Sequence, residues 1–134
     1  GAMGASITSV PGSSRYFLGG VIAYSNRAKQ ELLGVEASTL ERNGAVSAEV
    51  AEQMASGARA RFGADLALSS TGIAGPDGGS PEKPVGLCHV GIASAEGARS
   101  VRYVLGGTRA EISTRATAYA LDLLRRHLQG GARP

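Results

Sequence analysis

The chain has 134 residues, 43% hydrophobic and 19% charged, with a formal net charge of +3. That length suits one domain with a core of its own, and the composition excludes disordered and fibrous classes. No stretch reaches the ~18–20 apolar residues of a membrane span, and no signal-peptide pattern is visible. The single cysteine, Cys88, rules out an internal disulfide and fits a reducing cytoplasm. Aromatic residues make up 4%, with no Trp, so the core must rest on Val, Leu, Ile and Ala. The basic residues are spread along the chain, and neither zinc-finger spacing nor an aromatic-plus-basic pattern accompanies them; nucleic acid is not the expected partner.

Gly1-Ala2-Met3 reads as a scar left by tag cleavage and is set aside from the fold, which leaves a single domain over residues 4–134. After Ile7 to Val10, Pro11-Gly12-Ser13-Ser14 is a strong turn signal. Phe17 to Tyr24 reads as a strand, with Gly19 and Gly20 permitting close backbone approach. Ser25 or Asn26 can cap a helix through Leu33 that Gly34 ends, and a short helix is expected over Thr39 to Arg42. Ser47 is a good N-cap with Glu49 in the first turn, and Val50, Ala51, Met54, Ala58 and Phe62 recur at helical spacing until Gly63.

Ala64 to Ser70 is a short apolar strand, followed by a long loop rich in Gly and Pro from Thr71 to Pro84. Val85 to Ala93 and Ala98 to Leu105 are strands joined through Ser94-Ala95-Glu96-Gly97 as a hairpin. Neighbours on a strand point to opposite faces, so Cys88 and His89 do not face each other, and Cys88 reads as a small buried hydrophobe. A last helix runs from about Ala110 to Leu128, its apolar face formed by Ile112, Ala116, Tyr119, Ala120, Leu123 and Leu124. Arg125 and Arg126 near its end offset the helix dipole. The order predicts an α/β fold, a three-layer α/β/α sandwich whose mixed sheet contains a late antiparallel hairpin.

The segment richest in chemical information is Thr71-Gly72-Ile73-Ala74-Gly75-Pro76-Asp77-Gly78-Gly79, directly after a strand. In open α/β sheets ligands bind beyond the carboxyl ends of strands, and glycines there let backbone N–H groups turn inward around an anion such as phosphate. The loop lacks the Gly-Lys-Ser/Thr ending of a Walker A motif and the glycine spacing of a dinucleotide fingerprint. A tight surface loop is the plainer alternative. A second segment, Ala23 to Lys29, lies at a strand-to-helix junction. Lys29 could act as a general base if burial lowered its pKa, and Tyr24 could hold a substrate group or relay a proton. The plainer readings are a solvated lysine and a core tyrosine with a polar tip. His89 and His127 are too few for a histidine metal cluster, no paired cysteines offer a zinc site, and no Gly-x-Ser-x-Gly elbow is present.

Four stretches together resemble the C-terminal domain of the CinA family: Thr8 to Phe17, Gly19 to Asn26, Gly44-Ala45-Val46-Ser47 and Thr71 to Gly79. Lys29, Leu32-Leu33-Gly34-Val35 and Lys83-Pro84-Val85-Gly86-Leu87 extend the match across nearly the whole chain in family order. The resemblance implies a bacterial amidase of NAD recycling that converts nicotinamide mononucleotide to nicotinic acid mononucleotide and ammonia. It implies a serine nucleophile activated by lysine, with no metal or other cofactor. On this resemblance Lys29 and Tyr24 match the catalytic lysine and tyrosine. Thr71, Gly72, Ile73, Ala74 and Gly75 match the loop that contacts the nucleotide.

The family serine sits in a Glu-Ser-Cys-Thr-Gly-Gly-like motif roughly ten residues ahead of the position of Thr8 if loop lengths are kept. The sequence begins too late to include it, and the first strand is expected to be missing with it. Ser6, Ser9, Ser13 and Ser14 do not match that motif. Gly106-Gly107-Thr108-Arg109 resembles a family Gly-Asp-Arg with Thr108 in the acidic position, and Ser113 stands where a further arginine is expected; Arg109 is the substrate-binding candidate. The expectations are a largely inactive amidase domain and a homo-oligomer, formed because a strand edge is left bare. The alternatives are a nucleotide-binding module without chemistry and an interaction domain of a competence or DNA-damage pathway.

Overall fold

A computed structural model of the chain describes residues 1–130. Its helices are α1 (Ala2–Thr8), α2 (Asn26–Leu33), α3 (Ala37–Asn43), α4 (Ala48–Phe62) and α5 (Arg109–Leu128), with a short 3-10 turn at Ser13–Arg15. The strands are β1 (Ala67–Gly72), β2 (Leu87–Ser94) and β3 (Gly97–Val104), hydrogen-bonded in the order β1-β2-β3.

Local chemistry accounts for most helix ends. Ser25 Oγ accepts from the Ala28 N–H at the start of α2, and Ser47 Oγ accepts from Val50 N–H at the start of α4. Gly34 and Gly63 close these helices in the left-handed conformation that glycine adopts without strain. Thr108 caps α5 in a complete capping box, its hydroxyl bonding Glu111 N–H while the Glu111 carboxylate returns to the Thr108 N–H. The residue that departs from the family Gly-Asp-Arg therefore still performs the capping that an acidic residue would. Arg125 and Arg126, at the end of α5, both pair with Asp122.

The strand period sorts β2 between two layers. Cys88, Val90 and Ile92 face α5 and form a core with Ile112, Ala116, Ala120 and Leu123. His89 and Gly91 face the other way, where a side chain at Gly91 would meet the Ala51 carbonyl of α4. Leu33, Val35, Leu40, Val50 and Met54 make a second core around α4. Helices thus cover both faces of the sheet, as the α/β expectation required. Cys88 is buried as a core hydrophobe, and burial pushes its thiol pKa up against a smaller opposing effect from the Ser70 hydrogen bond.

Four expectations change. Every pairing in the described residues is antiparallel. The segment read as a strand, Phe17 to Tyr24, is extended but joins no ladder, because no described strand lies beside it to exchange hydrogen bonds. Gly1-Ala2-Met3, set aside as a scar, are part of the fold: Ala2 and Met3 open α1, and Met3 packs against the α5 core. The long loop also begins later than expected, since Thr71 and Gly72 complete β1.

Candidate functional site

Lys29 sits in the middle of α2 and is only 6% exposed. Its ammonium donates to the carbonyl of Ala23 at 3.0 Å and to that of Tyr24 at 3.4 Å. No carboxylate pairs with it among the described salt bridges. The two carbonyls offset part of the cost of burying the charge, no carboxylate adds to them, and desolvation lowers the pKa from the ordinary 10.5. A lysine in that state has more neutral amine near neutral pH than a solvated one, which is what a proton acceptor requires.

Tyr24, one helical turn away at the end of the extended segment, turns its phenol to Arg109. The Arg109 guanidinium donates through Nη2 to Tyr24 Oη at 3.1 Å and through Nη1 to the Gly75 carbonyl at 2.8 Å. Thr108 fixes Arg109 as the first residue of α5. Lys29, Tyr24, Arg109 and the Gly75 loop are thereby joined through consecutive contacts.

The loop itself is tied at its base and open at its tip. Ile73 N–H donates to the Leu87 carbonyl and Gly86 N–H to that of Ile73. Ser80 and Lys83 close a turn, and the Lys83 ammonium donates to the Asn43 carbonyl. Between these ties, the N–H groups of Ala74, Gly75, Asp77, Gly78 and Gly79 donate to no backbone acceptor among the described residues. Gly75 has φ +80°, and a Cβ there would stand 2.6 Å from Val85 Cγ1, so only glycine leaves this turn unstrained. Free N–H groups beside a guanidinium form a setting that attracts an oxyanion.

Thr71 behaves differently from the rest of its motif. Its side chain is buried and donates to the Ala45 carbonyl at 2.7 Å, which holds β1 to the turn before α4. Lys83 holds the far end of the loop to the same turn through Asn43. Lys83 lies in a stretch that resembles the family without a role attached to it, and no local pattern signals a side chain reaching a carbonyl that far away in sequence. His89 lies opposite Thr71 in the ladder, buried, with Nδ1 unpartnered. Its pKa is lowered first by burial, then by Arg102, with Lys83 adding to this and Glu49 opposing it.

The chain matches the family model described as CinA C-terminal domain over residues 1–128. It is 55% identical to a CinA-like protein of Mycolicibacterium vanbaalenii over 98% of its own length and 31% of that protein's. The chain thus spans about a third of the length of such curated relatives. Among solved structures, the competence/damage inducible protein CihA of Agrobacterium tumefaciens superposes with a TM-score of 0.90 at 41% identity, over 92% of this chain and 76% of that one. The competence damage-inducible protein A of Klebsiella pneumoniae gives 0.92 at 30% identity, over 96% and 80%.

Proposed function

Because the chain belongs to the CinA C-terminal domain family, we propose that it is the amidase domain of a nicotinamide-nucleotide amidase, acting in the cytoplasm on nicotinamide mononucleotide. The observation that carries this reading is the buried amine of Lys29, lowered in pKa and unpaired with any carboxylate. Burying a lysine with no carboxylate partner costs stability, and perturbed groups of this kind concentrate at functional sites. In the proposed reaction Lys29 takes the proton of a serine hydroxyl as that oxygen attacks the carboxamide carbon. The proton then passes to the departing ammonia, and water hydrolyses the acyl-enzyme. The nucleophilic serine of the family motif falls outside residues 1–134. Arg109 and the free N–H groups of Ala74 and Gly75 hold the nucleotide phosphate, and Tyr24 orients Arg109.

The test is ammonia release from nicotinamide mononucleotide, measured for residues 1–134 alone and for the same chain joined behind a family segment carrying the serine motif. Turnover by the joined chain, lost in Lys29→Met, is expected. Nucleotide binding by both chains with turnover by neither would favour a binding module instead.

A further inference from the structure

The stretch Lys83-Pro84-Val85-Gly86-Leu87 resembles the family yet has no part in the proposed reaction. It is the return limb of the glycine loop, and the loop hangs from one turn at both ends. On the outgoing limb Thr71 Oγ1 donates to the Ala45 carbonyl, and on the return limb the Lys83 ammonium donates to the Asn43 carbonyl. Thr71 is fixed in any case, because it belongs to β1. Lys83 lies in no helix or strand, so its side chain is what ties the limb to the turn. Gly44 leaves room for that tie: a Cβ there would stand 2.9 Å from Lys83 Nζ.

Short links carry the position of Lys83 to the site. Ser80 N–H donates to the Lys83 carbonyl while Lys83 N–H donates to Ser80 Oγ, so the two residues move as one turn. Val85, next along the limb after Pro84, fills the space between Gly75 and Gly79. A Cβ at Gly75 would lie 2.6 Å from Val85 Cγ1, and one at Gly79 2.9 Å from Val85 Cγ2. Beyond Val85 the chain is fixed again, since Gly86 donates to the Ile73 carbonyl and accepts from Leu105 N–H. Freed at Lys83, the limb turns about Gly86 and carries Val85 against or away from Gly75, whose carbonyl holds Arg109. Groups packed this closely have no slack to absorb such a shift.

We propose that Lys83 is a positioning residue of the nucleotide site. Its ammonium, seated on the Asn43 carbonyl, holds Val85 against Gly75. The free N–H groups of Ala74 and Gly75 and the Arg109 guanidinium are thereby aimed at one oxyanion before the ligand arrives. The tie is a charge-assisted, part-buried hydrogen bond, strong enough to set a loop in place. A loop without it must be ordered at the moment of binding, and that cost is taken from the affinity. The identity of the ligand rests on the amidase reading, whereas the coupling of Lys83 to Gly75 does not.

The experiment compares the parent chain with Lys83→Met, which keeps an unbranched stem and removes the ammonium. Each is followed by amide NMR without ligand, by a thermal melt, and by calorimetric titration with nicotinamide mononucleotide. Without ligand, Lys83→Met should displace the amide signals of Ala74 and Gly75 and the Nε–H signal of Arg109. Its affinity should fall by roughly tenfold. Unmoved ligand-free signals overturn the proposal: lost affinity alone would make Lys83 a direct contact of the phosphate, and a lowered Tm alone a tie that only holds the fold. Displaced signals with unchanged affinity overturn it as well. If the parent binds no nicotinamide mononucleotide, the amidase reading fails, and inorganic phosphate serves as the ligand for the same comparison. A parent that binds neither sinks both readings.

Discussion

The guanidinium of Arg109, the first residue of α5, donates to the phenol oxygen of Tyr24 at 3.1 Å, joining residues 85 positions apart. The same guanidinium holds the Gly75 carbonyl. In the proposed site Tyr24 acts through Arg109, and its hydroxyl matters more than its ring. Tyr24→Phe removes one solvent-exposed hydrogen bond to a charged group, worth ~0.5–1.5 kcal/mol. It should weaken nicotinamide mononucleotide binding by up to about tenfold, through a less well held Arg109. Arg109→Lys should weaken it further, because an ammonium cannot reach both partners in one planar fork. Calorimetric titration of the two variants checks both; equal affinity in Tyr24→Phe would separate the phenol from the site.

The capping box at Thr108 makes a second, coupled prediction. Thr108→Ala loses the hydroxyl that accepts from Glu111 N–H and should lower stability by ~1 kcal/mol, about 3–5 °C in Tm for a domain of this size. Arg109 follows immediately, so fraying of this turn should also reduce nucleotide affinity. Thr108→Asp keeps an N-cap acceptor and should retain both properties. A thermal melt and a titration on each variant distinguish this from a purely local loss.

Lys29 predicts a pH dependence whose sign follows from linkage. Its folded pKa lies below 10.5 because of burial. Between that lowered value and 10.5 the unfolded chain binds more protons, so stability rises with pH across the window. Below the lowered pKa the full cost of burying the charge is present. Lys29→Met removes the titrating group. It should be at least as stable as the parent at neutral pH, with a flatter stability profile on the alkaline side, while losing any amidase activity. Urea midpoints from neutral to alkaline pH test this, and a steeper alkaline profile in Lys29→Met would contradict it.

What the sequence revealed follows the range of the interactions. The capped ends at Ser25, Gly34, Ser47 and Gly63 lie within one helical turn of the groups they satisfy, and all were legible. The hairpin through Ala95 and Glu96 was legible for the same reason. Phe17 to Tyr24 shows strand alternation, but a ladder depends on a neighbour that no local pattern specifies, and the described residues supply none. Helix α1 was missed because its first residues were set aside, although Met3 packs against the core. In the site, the positions of Lys29, Tyr24, Arg109 and Gly75 came from motif and resemblance. That the Thr71 hydroxyl serves the Ala45 carbonyl and Lys83 the Asn43 carbonyl could not be read. Each joins a side chain to a distant carbonyl, and any polar residue at those positions would look the same in sequence.

Gly57 was not singled out in the sequence, yet the packing of α2 depends on it. It lies inside α4, where exchanging glycine for alanine ordinarily favours a helix by ~1 kcal/mol. Here a Cβ would fall within the van der Waals envelope of the Leu33 carbonyl, the last residue of α2. The obstacle is backbone, so α2 must move to admit a methyl group, and Arg61 holds α2 close through the neighbouring Leu32 carbonyl. Overpacking of this kind costs ~1–3 kcal/mol, which exceeds the helix-propensity gain. Gly57→Ala should therefore destabilise the domain, against the usual sign. Lys29 lies on the same helix, and a displaced α2 pulls its amine from the Ala23 carbonyl and admits water, so its pKa should move back toward 10.5. Urea denaturation together with NMR titration of the Lys29 amine reads both effects. A Gly57→Ala variant more stable than the parent, with the Lys29 titration unmoved, would show that the two helices have room to spare.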